Sequence, residues 1–260
     1  MPMNIEYAHR VGISAAYKSG KIIRSFFGRL KQVEKKGAID LVTEADLASE
    51  KAILKIIGEK FPDHSVLAEE SGEKQQNSPF KWIIDPLDGT TNFTHQLGIF
   101  AVSIAFAIDN RIEFGIILNP ISGELFTARS KQGAFLNGRP IKVSSVKQVS
   151  ESLLVTGFPY DFADHMDVLA PRFQNCLMAS QGVRRLGAAS LDLCFVACGR
   201  FEGFWEQNLK PWDTAAGIII AEEAGARITD FSNRPFSVDK KEILTTNSLI
   251  HDEMISLLKL

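Results

Sequence analysis

The segment Trp82-Ile83-Ile84-Asp85-Pro86-Leu87-Asp88-Gly89-Thr90-Thr91-Asn92 sets two carboxylates close together at the end of an apolar run. A buried strand would deliver Asp85 at its carboxyl end, Pro86 would stop the ladder, and Asp88 would follow at the mouth of a glycine-containing turn. Like charges at that range repel and raise one pKa, so the arrangement is favourable mainly with divalent cations between them. Oxygen-only ligands point to a hard ion, magnesium first. The same residues also read as an Asp-Pro turn followed by an Asp-Gly turn, with no chemistry attached. Company favours chemistry: Glu69-Glu70 closes the preceding strand pattern, and Asp213 falls in the first turn of a helix opened by Pro211. Each has a plain reading too, the glutamates as a solvated loop and the aspartate as a partner of the helix dipole. Gly89-Thr90-Thr91 adds N–H groups and hydroxyls beside the acids, the kind of terminus that receives phosphate where a helix begins. Acids hold cations, and cations with amides hold an anion, so a site acidic by sequence suits a phosphoester.

Other chemistries lack their residues. There is no Gly-x-x-x-x-Gly-Lys-[Ser/Thr] loop, no Gly-x-Ser-x-Gly elbow and no His-Glu-x-x-His pair, which sets aside nucleoside triphosphatase, serine esterase and zinc peptidase. His64 and His95 flank the acidic blocks and read as packing or surface residues. The 260 residues are 45% hydrophobic and 23% charged, enough for a packed core and too apolar for disorder. Lys and Arg number 29 against 31 acids, a net charge of −2 that gives no footprint for nucleic acid. No apolar run approaches the roughly 18 residues of a membrane span, and the opening lacks a basic region followed by an apolar core. A soluble, cytoplasmic protein with no membrane partner is the expectation. Cys194 and Cys198, four apart in an apolar stretch, read as small hydrophobes on one helix face.

The elements that must position the acids follow from periodicity. Apolar residues at threes and fours predict a helix from Ile5 to Leu30 and a second from near Asp46 to Phe61, before Pro62. Lys35 to Asp40 between them reads as a charged turn. Strands are predicted at Ser65 to Ala68, Lys81 to Ile84, Phe100 to Ile108, Arg111 to Leu118 and Leu125 to Ala128, the last three an antiparallel meander. Later come strands at Leu153 to Thr156, Val183 to Arg185, Phe201 to Glu206 and Ile243 to Thr246. Helices are predicted around His165 to Ala179, from Ala188 to Cys198, from Pro211 to Gly225, and at the C-terminus. Helices first, then antiparallel strands, then alternation predict an α/β (α+β) protein of two halves, residues 1–150 and 151–260, packed as one unit.

Three separated blocks carry a family resemblance: Asp40-Leu41-Val42-Thr43-Glu44-Ala45-Asp46, Trp82 to Asn92, and Pro211-Trp212-Asp213-Thr214-Ala215-Ala216-Gly217 with Glu222-Ala224-Gly225. Ala68-Glu69-Glu70-Ser71 and Arg185-Leu186-Gly187-Ala188-Ala189-Ser190 match between them, in order. The chain resembles the inositol monophosphatase family of magnesium-dependent, lithium-sensitive phosphatases. The resemblance implies a layered α-β-α-β-α sandwich of the inositol monophosphatase and fructose-bisphosphatase type, with the site where the halves meet. It implies two to three magnesium ions. Glu69, Asp85 and the Leu87 carbonyl would hold one, Asp85, Asp88 and Asp213 a second, and Glu69 would also support a third. The catalytic set it implies is Thr90, Asp46 and Glu69, with Thr90, hydrogen-bonded to Asp46, orienting and deprotonating the attacking water. Gly89, Thr90 and Lys35 would hold phosphate, while Glu206, Ala188 and Ala189 would contact the alcohol. The first half would then carry most metal ligands, and the second Asp213 and the substrate contacts.

The activity implied is hydrolysis of inositol 1-phosphate by metal-activated water, in a cytoplasmic homodimer acting on a small phosphorylated polyol. Fructose 1,6-bisphosphate, histidinol phosphate and 3′-phosphoadenosine 5′-phosphate are alternative substrates on the same scaffold, and Lys210 or Arg184-Arg185 could hold a second phosphate. A regulatory, RNA-associated binding role is the alternative from another class.

Overall fold

A computed structural model of the chain describes residues 3–30, 33–35 and 41–260. The first periodic face forms α1 (Ile5–Phe26), which buries Ala8, Val11, Ala15, Ala16 and Ile23. It stops at Phe27 instead of running to Leu30, because the backbone turns extended there and Gly28 follows at φ +70°. Where the sequence suggested only a charged turn, β1 (Val33–Lys35) pairs antiparallel with β2 (Leu41–Thr43), and the rest of that stretch is outside the described residues. α2 (Glu44–Lys60) begins before Asp46 because Thr43 caps it. The Thr43 hydroxyl oxygen accepts the Ala45 N–H at 3.1 Å, and Asp46 accepts the Thr43 N–H at 2.8 Å, a reciprocal cap that satisfies otherwise orphaned donors.

Beyond α2 run β3 (Ser65–Ala68), β4 (Gly72–Lys74), β5 (Phe80–Asp88), the single turn α3 (Thr90–Thr94), β6 (Ala101–Ile108), β7 (Arg111–Asn119), β8 (Glu124–Arg129), β9 (Ala134–Leu136) and β10 (Arg139–Ile141). The strands make an eight-stranded sheet in the order β10-β9-β8-β7-β6-β5-β3-β4. The predicted meander is present, with Asp109 and Asn110 at φ 48° and 63° in the tight turn between β6 and β7. Pro86, however, does not end its strand. β5 continues to Asp88, and its register against β6 shifts between Asp85 and Asp88, so the irregularity absorbs the missing N–H.

The second half contributes β11 (Leu153–Thr156), α4 (Met166–Ala179), β12 (Gly182–Arg184), α5 (Ala189–Ala197), β13 (Gly203–Gln207), α6 (Pro211–Glu223), β14 (Arg227–Thr229), β15 (Glu242–Thr246) and α7 (His251–Leu258). Its five strands lie in the order β12-β11-β13-β15-β14.

Strand alternation dictates the layering, since successive side chains leave opposite faces of a sheet. Trp82, Ile84, Phe106, Phe114 and Ile116 pack with α1 and α2, whereas Ile83, Ala105, Ile117 and Phe126 pack with α5 and α6. In the smaller sheet Val155, Phe204 and Ile243 meet the other side of α5 and α6, and Leu154, Trp205 and Leu244 meet α4 and α7. The result is helix, sheet, helix, sheet, helix. Both sheets are covered on two faces, which is why their central strands read as continuous apolar runs. The middle helices are rich in small residues, Ala189 and Ala197 on α5 and Ala215, Ala216 and Ala221 on α6. Cys194 is buried on α5, and Cys198 caps its end. His64 stacks on Phe61 with 4.7 Å between ring centroids and accepts the Trp82 indole N–H at 3.1 Å, a packing role; His95 is exposed. Among the described residues no helix is long and apolar enough to cross a membrane.

Candidate active site

Parallel pairing of β3 with β5 aligns Ala68 with Ile84, so Glu69, just past the end of β3, and Asp85, near the carboxyl end of β5, stand side by side. The Glu69 N–H still donates to the Ile84 carbonyl at 3.2 Å. Crevices at such strand ends are the usual ligand sites of α/β sheets. Asp85 accepts the Leu87 N–H at 2.9 Å. Gly89 then turns the chain into α3 at φ +92°, and a Cβ there would stand 3.0 Å from the Ile99 carbonyl. Gly89→Ala is therefore expected to destabilise the fold by about 2 kcal/mol in urea titration, through left-handed strain and crowding; an unchanged midpoint would mean that the turn relaxes.

Asp213 arrives from the other half on the first turn of α6, where its carboxylate accepts the Lys210 N–H at 2.7 Å. Asp88 reaches the start of α5: its Oδ2 accepts the Ser190 N–H at 2.8 Å and the Ser190 hydroxyl at 2.5 Å. A cavity of about 350 Å³ results, lined by Glu69, Asp85, Leu87, Asp88, Gly89, Thr90, Ala188, Ala189, Glu206 and Asp213. Glu206, the last residue but one of β13, lies against Gly157, where an added Cβ would collide with the carboxylate. Asp46 stands behind the cavity wall, fully buried, and the Thr90 hydroxyl oxygen lies 3.0 Å from both the Asp46 carboxylate and the Leu87 carbonyl. One hydroxyl proton faces two acceptors, so only one bond forms at a time.

The electrostatics are those of anions gathered without cations. Burial, then the charges of Glu69, Asp88 and Asp213, push the Asp85 carboxyl well up. Burial and the charges of Asp88 and Glu69 do the same at Asp213, against the Lys210 N–H bond. Asp88 rises to about 6, burial outweighing the Ser190 bonds. Asp46 is pushed up to about 6 by burial against its Thr43 and Thr90 bonds, and Glu206 to about 8 by burial and then the Asp213 charge. Among the described residues no three acidic, histidine or cysteine side chains are already drawn together at the spacing of a metal site. The carboxylates share the cavity without closing on one point. The donor set nevertheless fits a hard cation, being all oxygen, buried and mutually repelling.

The structure thus brings together every residue expected at the site except Lys35, whose side chain lies outside the described residues. Of the basic residues considered for a second phosphate, Arg185 and Lys210 line the cavity, while Arg184 on β12 is exposed and outside it. Sequence reasoning gave no role to Ser190, to Asn92 or to Asp192. The Asn92 amide donates to the Ile99 and Leu186 carbonyls, both at 2.7 Å, and so ties α3 to the second half. Asp192 is buried on α5 with neither carboxylate oxygen hydrogen-bonded, and burial pushes its carboxyl well up. Tyr160 stands at the cavity rim. The local signal at Ser190 is a hydroxyl residue at a helix start, which names no distant partner.

A layered α/β fold with buried carboxylates and a left-handed Gly89 turn at the junction of its two sheets is an architecture suited to a phosphatase. The model of the inositol monophosphatase family matches residues 4–259, and the chain belongs to that family and is a phosphatase. A Synechocystis protein named inositol-1-monophosphatase is 45% identical over 255 residues, 97% of this chain and 89% of that protein. A Pseudomonas aeruginosa protein named Nus factor SuhB is 40% identical over 245 residues, 92% of this chain and 90% of the relative. Among solved structures, the extragenic suppressor protein SuhB of Bartonella henselae superposes with a TM-score of 0.94 at 39% identity, covering 97% of this chain and 98% of that one.

Proposed function

We propose that the chain hydrolyses phosphomonoesters of small polyols, inositol 1-phosphate first, with two to three magnesium ions. The observation that carries this reading is the shared cavity, in which four buried or half-buried acids lie beside Gly89, Thr90 and Glu206. The relative named inositol-1-monophosphatase supports it. Glu69, Asp85 and the Leu87 carbonyl would hold one cation and Asp85, Asp88 and Asp213 another, with Asp85 between them and Glu69 serving a third. Bound there, magnesium supplies charge neutralisation for the phosphoester and makes water more acidic.

The residues of the chain do the rest. The Gly89 and Thr90 N–H groups are assigned to phosphate oxygens, with Lys35 adding positive charge. When the Thr90 hydroxyl gives its hydrogen bond to Asp46, its oxygen keeps lone pairs for the attacking water, and as that water's proton passes to Thr90 the Thr90 proton passes to Asp46, which, pushed up to about 6, is ionised and able to receive it above that pH. Glu206, with its carboxyl pushed up to about 8 by burial and then the Asp213 charge, holds a proton at neutral pH and can donate to or accept from a substrate hydroxyl. Ala188 and Ala189 shape the wall beside that alcohol. Action in the cytoplasm as a lithium-sensitive homodimer belongs to the same reading and rests on the resemblance.

Arg185 and Lys210 on the same cavity favour a second reading, a substrate such as fructose 1,6-bisphosphate that carries another phosphate. A regulatory binding role has the P. aeruginosa relative's name in its favour. The test is phosphate release from a panel of inositol, sugar and nucleotide phosphates, with and without magnesium. Inositol 1-phosphate is expected to turn over faster than 3′-phosphoadenosine 5′-phosphate, and only with the cation. The reverse order would defeat the substrate reading, and release that ignores magnesium would defeat the whole of it.

A further inference from the structure

We infer that Ser190 is a positioning residue for Asp88: its hydroxyl and N–H, at the start of a helix from the second half, fix one carboxylate oxygen and set the other for a cation. The inference rests on the proposed reading of Asp88 as a metal ligand. Both Ser190 bonds converge on Oδ2, the N–H at 2.8 Å and the hydroxyl at 2.5 Å, and Oδ1 takes neither, while the neighbouring Ala189 backbone N–H also bonds the carboxylate. Ser190 is wholly buried, in the first turn of α5. The N-cap of that helix is Ala188, which has no side-chain oxygen to offer. Asp88, 102 residues away in the chain, supplies the missing acceptor. The carboxylate is therefore held by a helix start that cannot follow it, since α5 is clamped between two sheets.

Two donors on one oxygen do more than stop the carboxylate rotating. They draw charge onto Oδ2 and occupy its lone pairs, so a cation meets a preset Oδ1 rather than a side chain it must first order. The backbone N–H would remain in any variant at position 190. The hydroxyl is the part that this residue type adds.

The experiment uses the intact chain and manganese as the probe, with affinity read by calorimetry, together with the magnesium dependence of phosphate release. Ser190→Ala is expected to weaken manganese binding roughly tenfold, as loss of a hydrogen bond behind a metal ligand does. The magnesium concentration for half-maximal rate should rise by a similar factor, with most of kcat recovered at saturation. Ser190→Cys fills the same space with a weak donor and should follow alanine, which also covers the case of an alanine variant that folds poorly. A cysteine variant binding manganese as tightly as the parent would overturn the inference, because packing and not the hydroxyl would then matter. Unchanged affinity in Ser190→Ala would overturn it as well. Asp213→Asn is the control for the underlying reading: if the parent binds no manganese, or this variant binds it undiminished, the cation site itself fails, whatever Ser190 does.

Discussion

Asparagine in place of Asp213 is expected to cut magnesium-dependent phosphate release by about a thousandfold, the several kcal/mol of charge stabilisation that a cation at this position supplies. In the same variant the melting temperature measured in chelator should rise. The two effects have one cause. Burial and the charges of Asp88 and Glu69 push the Asp213 carboxyl well up, so its ionised form is a liability in the metal-free fold and an asset once a cation arrives. Asparagine keeps the size of the side chain and an oxygen that can still accept the Lys210 N–H, now 2.7 Å from the carboxylate. Retained activity would remove Asp213 from the ligand set. A fall in melting temperature would show that the helix cap outweighs the charge repulsion.

The second large effect is a stability of the metal-free chain that declines as pH rises from about 6.5 to about 8. Glu206 is raised to about 8, and Asp85 and Asp213 are raised well above the ordinary range, in each case by burial first. The unfolded chain has already released these protons in that window, so the folded form binds more of them and stability falls with pH. Glu206 alone accounts for on the order of 2 kcal/mol across it. The window starts at 6.5 because His9 and His251, both lowered to about 4 by burial, act in the opposite direction below that pH. Magnesium at a hundred times its dissociation constant should add about 2.7 kcal/mol, raising the melting temperature by roughly 5–10 °C. Calorimetry at both ends of the window, with and without magnesium, checks both parts. A flat metal-free profile would mean that the acids are solvated, and no shift with the ion would mean that they do not bind it.

The parts of the site legible in the sequence were the local ones. Asp85, Asp88 and Gly89 lie within one strand end and turn, so chain geometry alone keeps them together, and Pro211 announces the helix that carries Asp213. The extension of β5 past Pro86 was not legible, because a proline is compatible with a strand only where the partner's register slips, and that slip is set by β6. Short strands such as β9 and β10, three residues each, carry too little alternation to stand out. The start of α2, expected near Asp46 from its apolar face, falls two residues earlier, because Thr43 caps the helix and Asp46 is its reciprocal partner. Ser190 and Asn92 escaped for a different reason. Each acts on a group about a hundred positions away, and only the packing of one half on the other brings the pair into reach.

The alanines of α5 and α6 now take on a further meaning. Because this helix pair packs between the two sheets, its girth is a ruler: it fixes how far the acids of β5 stand from Glu206 on β13. Lengthening one of those methyl groups would not merely crowd a core. It would wedge the jaws of the enzyme apart, so the calibre of the catalytic gap is written largely in residues set back from it, Ala197 on α5 and Ala215, Ala216 and Ala221 on α6.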